Sequence, residues 1–262
     1  MTDASSVVTV EEDGGLLLIG VNRPDANNLW NLEVIQAVSR AYRRLGDTAH
    51  LRVGVVFGHG RLFTAGLDLA SVAPLLTSGD PTAVFPEDGY DPWDFFGEPC
   101  PKPVVVAIHG RCNTLGIELA LASQVVVAAD DARFAQLEVA RGIFPLGGAT
   151  FRLPARLGAP GMRYLLTAEL FDAATALRIG LVHEVVGVGQ ELDRAIQLAR
   201  IIAANAPLGV QASLASARAA ERAARDAARN VLLDNRAIFT SADAAEGISA
   251  FLERRTPVFR GN

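Results

Sequence analysis

The spacing of apolar residues along the chain switches several times between the two-residue period of strands and the 3.6-residue period of helices. Apolar runs rich in β-branched residues predict strands at residues 7–10, 16–21, 53–57, 104–108 and 125–128. Stretches of helical period lie between and after them, at residues 32–45, 116–122, 161–166 and 173–179. Because strands and helices alternate in one chain, the pattern predicts an α/β core.

The last quarter of the chain differs in composition from the rest. Segments rich in alanine and arginine, with helical period throughout, cover residues 192–206, 208–237 and 242–255. A chain of 262 residues is large for one compact domain and short for two full ones. We therefore expect a core formed by residues 1–191 and a smaller helical module formed by residues 192–262.

One long segment, from Pro74 to Pro103, interrupts the periodic pattern with prolines, glycines and acidic residues. It also carries a cluster of aromatic side chains: Phe85, Tyr90, Trp93, Phe95 and Phe96. Long irregular segments inside compact domains commonly serve as functional lids. The aromatic residues favour a lid over an apolar pocket, and a loop that packs its rings on its own core is the equal alternative.

Composition narrows the class of protein. Half of the residues are hydrophobic, the net charge is -5 and the isoelectric point is about 5.4, which argues against a general nucleic-acid surface. Two cysteines, Cys100 and Cys112, are too few for a disulfide framework and lack the spacing of a zinc site. The acidic N-terminus lacks a signal-peptide pattern and no apolar run has membrane-spanning length. We expect a cytoplasmic protein without metal, membrane or nucleic-acid partner.

Several common catalytic templates are missing from the sequence. It contains no G-x-S-x-G elbow, no G-x-x-x-x-G-K-[ST] phosphate loop and no H-E-x-x-H pair. The four histidines are scattered, and none is assigned a role: His50, His59, His109 and His183.

Two glycine-marked junctions between a strand and a helix are the first candidate for chemistry. They are Ala65-Gly66-Leu67 and Thr114-Leu115-Gly116. Two backbone amides at such junctions can point at one oxygen atom, and a helix N-terminus adds roughly half a positive charge there. The pair therefore predicts an oxyanion hole. Taken singly, each glycine is also compatible with an ordinary turn.

Two glutamates follow these junctions. Glu118 lies in the first turn of the helix predicted after Leu115, and Glu138 comes twenty residues later in a second apolar stretch. Two carboxylates beside an oxyanion hole can act as general base and general acid. The competing interpretation is that Glu118 complements its helix dipole and Glu138 is solvated. The residues alone leave both interpretations open.

Five longer motifs appear in order along the chain. They are NRPDANNLWN (residues 22–31), FTAGLDL (63–69), LGIELALA (115–122), FAQLEVARGIFPLGGATFRLPARLG (134–158) and EGISAFLERRTPVFRG (246–261). They match the patterns N-R-P-x-x-x-N-A-L-N, F-x-A-G-A-D-L, G-G-x-E-L-A-L-A, F-G-Q-P-E-x-x-x-G-x-x-P-G-x-G-G-T-x-R-L and E-G-x-x-A-F-x-E-K-R-x-P-x-F-x-G. In these motifs, the sequence resembles the crotonase, or enoyl-CoA hydratase, superfamily.

The resemblance implies a fold and a reaction. The fold is an α/β spiral of repeated β-β-α turns, followed by a C-terminal helical module that builds trimers, often paired into hexamers. The substrate is an acyl-CoA thioester, and its enolate is stabilised by two backbone amides, which align with those of Leu67 and Leu115. In hydratases the first glutamate activates water and the second protonates the α-carbon, and these positions are Glu118 and Glu138. The resemblance implies no metal and no cofactor, since CoA is part of the substrate.

Further site residues are assigned by the same alignment. Those expected to bind the substrate or its CoA moiety are Ala26, Asn28, Ala65, Gly66, Asp68, Gly116 and Arg254. Arg254 takes the place of a family cation, usually lysine, that reaches CoA phosphates of a neighbouring subunit. The aromatic cluster of the irregular segment, and not the alignment, supplies the residues expected to form the lid of the acyl pocket, which are Trp93, Phe95 and Phe96.

The chain departs from the family pattern at three places. Thr114-Leu115-Gly116 replaces the usual Gly-Gly before the first glutamate, Leu137 replaces a proline, and Ser123-Gln124 stands where Cys-Asp is common. These departures affect acyl specificity. The preferred expectation is reversible syn hydration of a trans-2-enoyl-CoA. The alternatives are a Δ3-Δ2-enoyl-CoA isomerase that uses Glu138 as proton shuttle, and a non-catalytic acyl-CoA-binding or scaffold protein.

Overall fold

The fold is seen in a computed structural model that describes residues 6–76 and 84–261, leaving aside the side chains of residues 73–76. Within these residues the strands are β1 (Val8–Asp13), β2 (Leu16–Val21), β3 (Val53–Gly58), β4 (Val104–Ile108), β5 (Arg111–Asn113), β6 (Val125–Ala129), β7 (Arg133–Ala135), β8 (Phe171–Asp172) and β9 (Glu184–Val186). The α-helices are α1 (Leu32–Asp47), α2 (Leu69–Leu76), α3 (Leu115–Ala122), α4 (Ala149–Thr167), α5 (Ala173–Ile179), α6 (Glu191–Ala203), α7 (Pro207–Asp234) and α8 (Ala242–Glu253). Short 3-10 turns cover Pro24–Ala26, Val139–Arg141 and Arg236–Thr240.

The strands form two sheets. The larger one has the order β1-β2-β3-β4-β6-β9, in which β1 and β2 pair as an antiparallel hairpin and every other pair is parallel. The smaller one has the order β5-β7-β8. Parallel neighbours need crossover connections. The crossover from β2 to β3 passes through helix α1, and those that follow β4 and β6 pass through strands of the smaller sheet and a helix. The result is a spiral whose later turns contribute to both sheets.

Three successive turns of this spiral have the same plan. The first runs from β3 through a single bridging residue, Thr64, to helix α2. The second runs through β4 and β5 to helix α3, and the third through β6 and β7 to the 3-10 turn at Val139–Arg141. Thr64 pairs with Cys112 of β5, and Cys112 pairs with Phe134 of β7. The second strands of the three turns therefore lie side by side.

Most elements that the apolar pattern predicted are confirmed within a few residues, including the helix over residues 173–179 and the strand over residues 104–108. The helix expected at residues 161–166 is confirmed as the second of two helical segments in α4, which are separated by a sharp turn at Gly158, where φ is 61° and ψ is -142°. The first segment, which begins at Ala149, was not predicted because it contains Pro154, and proline normally ends a helix. Helix α2 and strands β5, β7, β8 and β9 were not predicted, because runs of two to eight residues carry little periodic signal.

Helix α6 forms a layer of the core. It packs on strands β3, β4 and β6, and its buried residues Ala195 and Ala199 face Val55 and Val105 of the sheet. Alanine lets helix and sheet approach closely. The segment 192–262 that we expected as a separate module thus begins with a helix that covers one face of the large sheet. Within the described ranges, no helix combines the length and apolar character needed to cross a membrane.

Candidate active site

The candidate catalytic groups come together because of the register of the smaller sheet. Leu67 lies three residues after Thr64, Leu115 three residues after Cys112, and Leu137 three residues after Phe134. Since Thr64, Cys112 and Phe134 are paired neighbours, the three segments leave the sheet at adjacent positions and on the same edge. The two predicted junctions and Glu138 are therefore brought to one place.

The backbone amides of Leu67 and Leu115 have the availability that an oxyanion hole requires. Neither N–H donates to a protein acceptor anywhere in residues 6–76 and 84–261. Leu115 is the first residue of α3, so its N–H is one of the donors that a helix leaves unpaired. The Leu67 segment is held by pairing with the preceding turn, in which Trp30 donates to Gly66 and Asp68 donates to Trp30. Both amides thus stand free on fixed backbone.

Glycine is required at both junctions for different reasons. Gly66 has φ of +114°, and a Cβ there would collide with the hydroxyl of Thr114. Gly116 packs so closely on Thr64 and Cys112 that any side chain would displace them. Between the two, Thr114 has φ of 51° and ψ of -115°, a conformation that β-branched residues adopt only when their surroundings enforce it.

Glu118 is buried, with 2% of its surface exposed, in a helix whose residues are all buried. Its Oε1 atom accepts hydrogen bonds from the backbone N–H of Gly147 at 2.7 Å and of Ala149 at 3.0 Å. Ala149 begins helix α4, so the carboxylate caps a helix other than its own. Burial raises the pKa of Glu118, and the two N–H groups and Arg152 oppose that rise. Glu118 also lies in the first turn of its own helix, so the carboxylate faces the N-terminal ends of two helices.

Glu138 is also buried, which excludes the alternative of a solvated side chain. Its Oε1 atom accepts a hydrogen bond from the Gln136 amide at 3.0 Å, and its Oε2 atom has no partner in the described structure. Burial and, next, the charge of Glu118 raise the pKa of Glu138. Glu138 has fewer donors than Glu118, so of the two carboxyls it holds a proton more readily.

Both carboxyls open into one cavity with an empty volume of about 760 Å³, part of which is open to solvent. Its wall is mostly apolar. Residues lining it include Leu67, Leu115, Trp93, Phe95, Phe96 and Phe144. The cavity therefore joins the predicted oxyanion amides, both glutamates and the three aromatic residues that the sequence placed in a lid.

The aromatic segment that borders this cavity is held around the carboxylate of Asp91. Its Oδ1 atom accepts the N–H of Trp93 at 2.8 Å, and its Oδ2 atom accepts those of Phe95, Phe96 and Gly97 at 2.8 to 3.0 Å. Asp91 is 3% exposed. Four hydrogen bonds to one buried carboxylate fix the backbone of the turn and so the directions of its rings.

Trp93 links this turn to the oxyanion segment. Its indole N–H donates to the carbonyl of Leu115 at 3.1 Å, and its ring meets the edge of Trp30 with ring centres 5.4 Å apart. Arginines attach the turn to the helices behind it. Arg152 donates to the carbonyl of Trp93, and Arg229 of α7 donates to that of Phe95. The segment is therefore a fixed wall of the cavity whose rings also pack in the core, so both interpretations of its aromatics apply.

The remaining predicted site residues occupy several environments. Asn28 is fully buried, and its side-chain amide donates to the carbonyls of His59 and Leu62, so it holds the loop and faces no ligand. Asp68 lies 4.0 Å from Arg23. Ala65 donates to the backbone of the turn that follows Ala26, which places both residues beside the oxyanion segment.

Arg254 lies outside the cavity. It ends helix α8, is exposed, and forms no ion pair within residues 6–76 and 84–261. Its contact with CoA phosphates stays a prediction.

Sequence reasoning missed three features of the site. Asp91, in the irregular segment, and Arg141, in the second glutamate motif, were not recognised as site residues. The hydrogen bonds from the N–H groups of Gly147 and Ala149 to Glu118 depend on tertiary packing and were not foreseen either. Two signals were available: an Asp two residues before an aromatic run, and an arginine three residues after Glu138. In the described part of the chain, no group of three or more His, Cys, Asp or Glu side chains is arranged to hold a metal ion.

Known proteins resemble this chain over nearly its whole length. A profile of the Enoyl-CoA hydratase/isomerase family matches residues 11–262. The chain belongs to this family. Among its relatives, the 2,3-dehydroadipyl-CoA hydratase of Escherichia coli (strain K12) is 35% identical, with 98% of this chain and 99% of that protein covered. The enoyl-CoA hydratase EchA19 of Mycobacterium tuberculosis is 32% identical, with 96% of this chain and 95% of that protein covered.

Solved structures of the family confirm the predicted crotonase fold. A probable enoyl-CoA hydratase/isomerase from Mycobacterium abscessus is 46% identical and superposes with a TM-score of 0.79, covering 98% of this chain and 99% of that one. A carnitinyl-CoA hydratase from Mycobacterium avium is 33% identical with a TM-score of 0.85 and the same coverage. Relatives of this enoyl-CoA hydratase/isomerase family member thus differ in the acyl groups that their names record.

Proposed function

We propose that this family member is a hydro-lyase, an enoyl-CoA hydratase that adds water reversibly and syn to a trans-2-enoyl-CoA to give a 3-hydroxyacyl-CoA. The observation that carries the proposal is the placement of two buried glutamates and two free backbone amides on one apolar cavity. Relatives named as hydratases across nearly their whole length support it.

The thioester carbonyl is placed between the N–H groups of Leu67 and Leu115. As water adds to C3, the carbonyl oxygen gains negative charge, and these two donors stabilise the enolate more strongly than the neutral thioester. The helix N-terminus at Leu115 adds its partial positive charge. Because both donors are backbone groups on fixed segments, they need little reorganisation as the charge develops.

The environments of the two glutamates assign their roles. Glu118 has two N–H donors that stabilise its ionised form, so it is the general base that removes a proton from water as the oxygen bonds to C3. Glu138 has a raised pKa and one unpartnered oxygen, so it is the general acid that delivers a proton to C2. In each turnover Glu118 takes one proton and Glu138 gives one. Exchange of protons with solvent then returns both glutamates to their starting protonation states.

The experiment follows the absorbance of the enoyl thioester with purified protein and 2-enoyl-CoA substrates of increasing length. Glu118→Gln and Glu138→Gln are each expected to lower kcat by roughly 10²-fold or more, because each removes one proton transfer while its amide keeps the shape. Glu169→Gln, a surface glutamate paired with Arg163, is the matched control and keeps wild-type kcat.

Two outcomes would contradict the proposal. Full activity of Glu118→Gln on a 3-enoyl-CoA, with Glu138→Gln inactive, would identify a double-bond isomerase. Wild-type protein that binds acyl-CoA and turns over neither 2-enoyl nor 3-enoyl substrates would identify a binding protein.

We also propose that the chain assembles as a homotrimer or a dimer of trimers through its C-terminal helices. Large apolar side chains are exposed there in the single chain, at positions 208, 231, 251, 252 and 258, with Leu208 80% and Leu252 73% exposed. Exposed apolar surface on this scale is typical of subunit interfaces. Light scattering on the purified protein measures the mass, and a monomer at micromolar concentration would contradict the assembly.

A further inference from the structure

One cation lines the cavity of the proposed active site and is not used by the proposed reaction. Arg141 ends the 3-10 turn that follows Glu138, and its side chain forms part of the cavity wall. Among residues 6–76 and 84–261, no carboxylate lies within ion-pair distance of its guanidinium, and the side chain makes no hydrogen bond. Its guanidinium is therefore half-buried and keeps donors that no acceptor in the described residues uses.

The position of Arg141 is fixed by close packing. Helix α8 lies directly on its turn, since Gly142 and Gly247 have no side chains to hold the two backbones apart. The ring of Phe251, also on α8, lies under the guanidinium with 4.7 Å from Cζ to the ring centre. Stacking on an aromatic face orients the planar group and leaves its edge N–H donors available to a ligand.

The other charged side chains of the cavity are already occupied. The carboxylate of Asp91 is saturated by four backbone N–H groups and that of Glu118 accepts two. On α8, behind the turn, Asp243 accepts the N–H groups of residues 260 and 261 and Glu246 pairs with Arg255. Glu138 acts on Arg141 from the same turn, but as the general acid it is uncharged when substrate is bound. Among the described residues, Arg141 is then the one charged side chain lining the cavity that has neither a hydrogen-bond nor an ion-pair partner.

We propose that Arg141 binds a carboxylate carried by the acyl group of the substrate, so that the preferred substrates are enoyl-CoA thioesters of dicarboxylic acids. The inference rests on the proposed hydratase function and specifies its substrate. A guanidinium pairs with a carboxylate through two parallel charge-assisted hydrogen bonds, and the apolar wall beside it, including Ile143 and Phe144, suits the methylene chain between thioester and carboxylate.

The same contact supports the acid role of Glu138. The charge of Arg141 lowers the pKa of Glu138, while burial and Glu118 raise it. A substrate carboxylate that neutralises Arg141 removes the lowering effect, so Glu138 stays protonated to higher pH in that complex. The alkaline limb of the kcat profile, which reports groups in the enzyme–substrate complex, is therefore expected at higher pH for a carboxylate-bearing substrate than for a neutral one.

The test compares two matched substrates, hex-2-enoyl-CoA and the same thioester carrying a carboxylate on its sixth carbon. Wild-type protein is expected to have the higher kcat/KM for the second. Arg141→Met, which keeps an unbranched side chain over Phe251, is expected to raise KM for the carboxylate substrate by roughly 10²-fold and to leave the neutral substrate within about threefold. Arg141→Lys restores part of the loss. Arg163→Met, on the surface, is the control and changes neither value.

A second arm distinguishes the carboxylate from the CoA phosphates as the anion. With the same acyl groups on pantetheine, which lacks the nucleotide phosphates, the preference for the carboxylate substrate persists if Arg141 binds the acyl group. Arg141→Met could instead raise KM equally for both CoA substrates and leave KM unchanged for both pantetheine substrates. That result would assign Arg141 to the CoA phosphates and overturn the inference. Identical pH limbs for the two substrates in the wild type would overturn it too, even if Arg141→Met does not fold. Hydration of the neutral substrate with none of the charged one refutes only this inference, whereas hydration of neither refutes the proposed function.

Discussion

Removal of the Asp91 carboxylate tests whether the aromatic wall of the cavity depends on the four hydrogen bonds that this side chain accepts. In Asp91→Ala the N–H groups of Trp93 and Phe95 stay buried without an acceptor, while those of Phe96 and Gly97 are half-buried and regain water. A buried donor that loses its partner costs about 1–3 kcal/mol. Two such donors give a loss of about 3 kcal/mol in the free energy of unfolding.

For a chain of this size, a loss of 1 kcal/mol lowers Tm by about 2–4 °C, so Asp91→Ala is expected to lower Tm by about 6–12 °C. Activity falls with it, because Trp93 donates to the Leu115 carbonyl beside the oxyanion amide. Asp91→Asn keeps one acceptor oxygen and loses less.

Scanning calorimetry and the enoyl thioester assay measure both effects. The control is Asp88→Ala on the same segment, whose exposed carboxylate pairs with Arg40 and contributes little. If Asp91→Ala lowered Tm no further than Asp88→Ala, the four hydrogen bonds would not be what holds the wall.

Two further predictions concern the glutamate pair and the assembly. The folded-state pKa of Glu138 lies above its unfolded value, so the folded protein holds more protons in the interval between them and its stability falls as pH rises through that interval. Glu138→Gln is therefore expected to have a Tm advantage over wild type that is small at pH 5 and grows toward pH 8, and an advantage independent of pH would contradict this titration. Leu252→Glu is expected to reduce the mass measured by light scattering, whereas Leu170→Glu, equally apolar and 64% exposed but outside the C-terminal helices, leaves it unchanged. Unchanged mass in Leu252→Glu would remove this part of α8 from the interface.

The local elements and the candidate groups could be predicted from the sequence. Strands β2 and β4 are continuous apolar runs, and helix α1 is long and amphipathic. The starts of α1 and α5 are marked by Asn31 and Asp172, which cap these helices through their side chains. The glycines of the two junctions and the glutamates after them marked the site, since only a few residue types suit such turns and such chemistry. Motif spacing then supplied the family.

The properties of those groups were decided by tertiary structure. Glu118 accepts hydrogen bonds from backbone N–H groups that lie 29 and 31 residues further along the chain. Both glutamates are buried by segments distant in sequence. The direction of their pKa shifts and their division of roles therefore do not follow from the local sequence pattern. The same holds for Asp91, whose role depends on a turn without periodicity, and for Arg141, whose lack of a partner is a property of the whole cavity. Sequence determines which groups a chain can offer, whereas desolvation and charge pairing depend on what the fold places around each group.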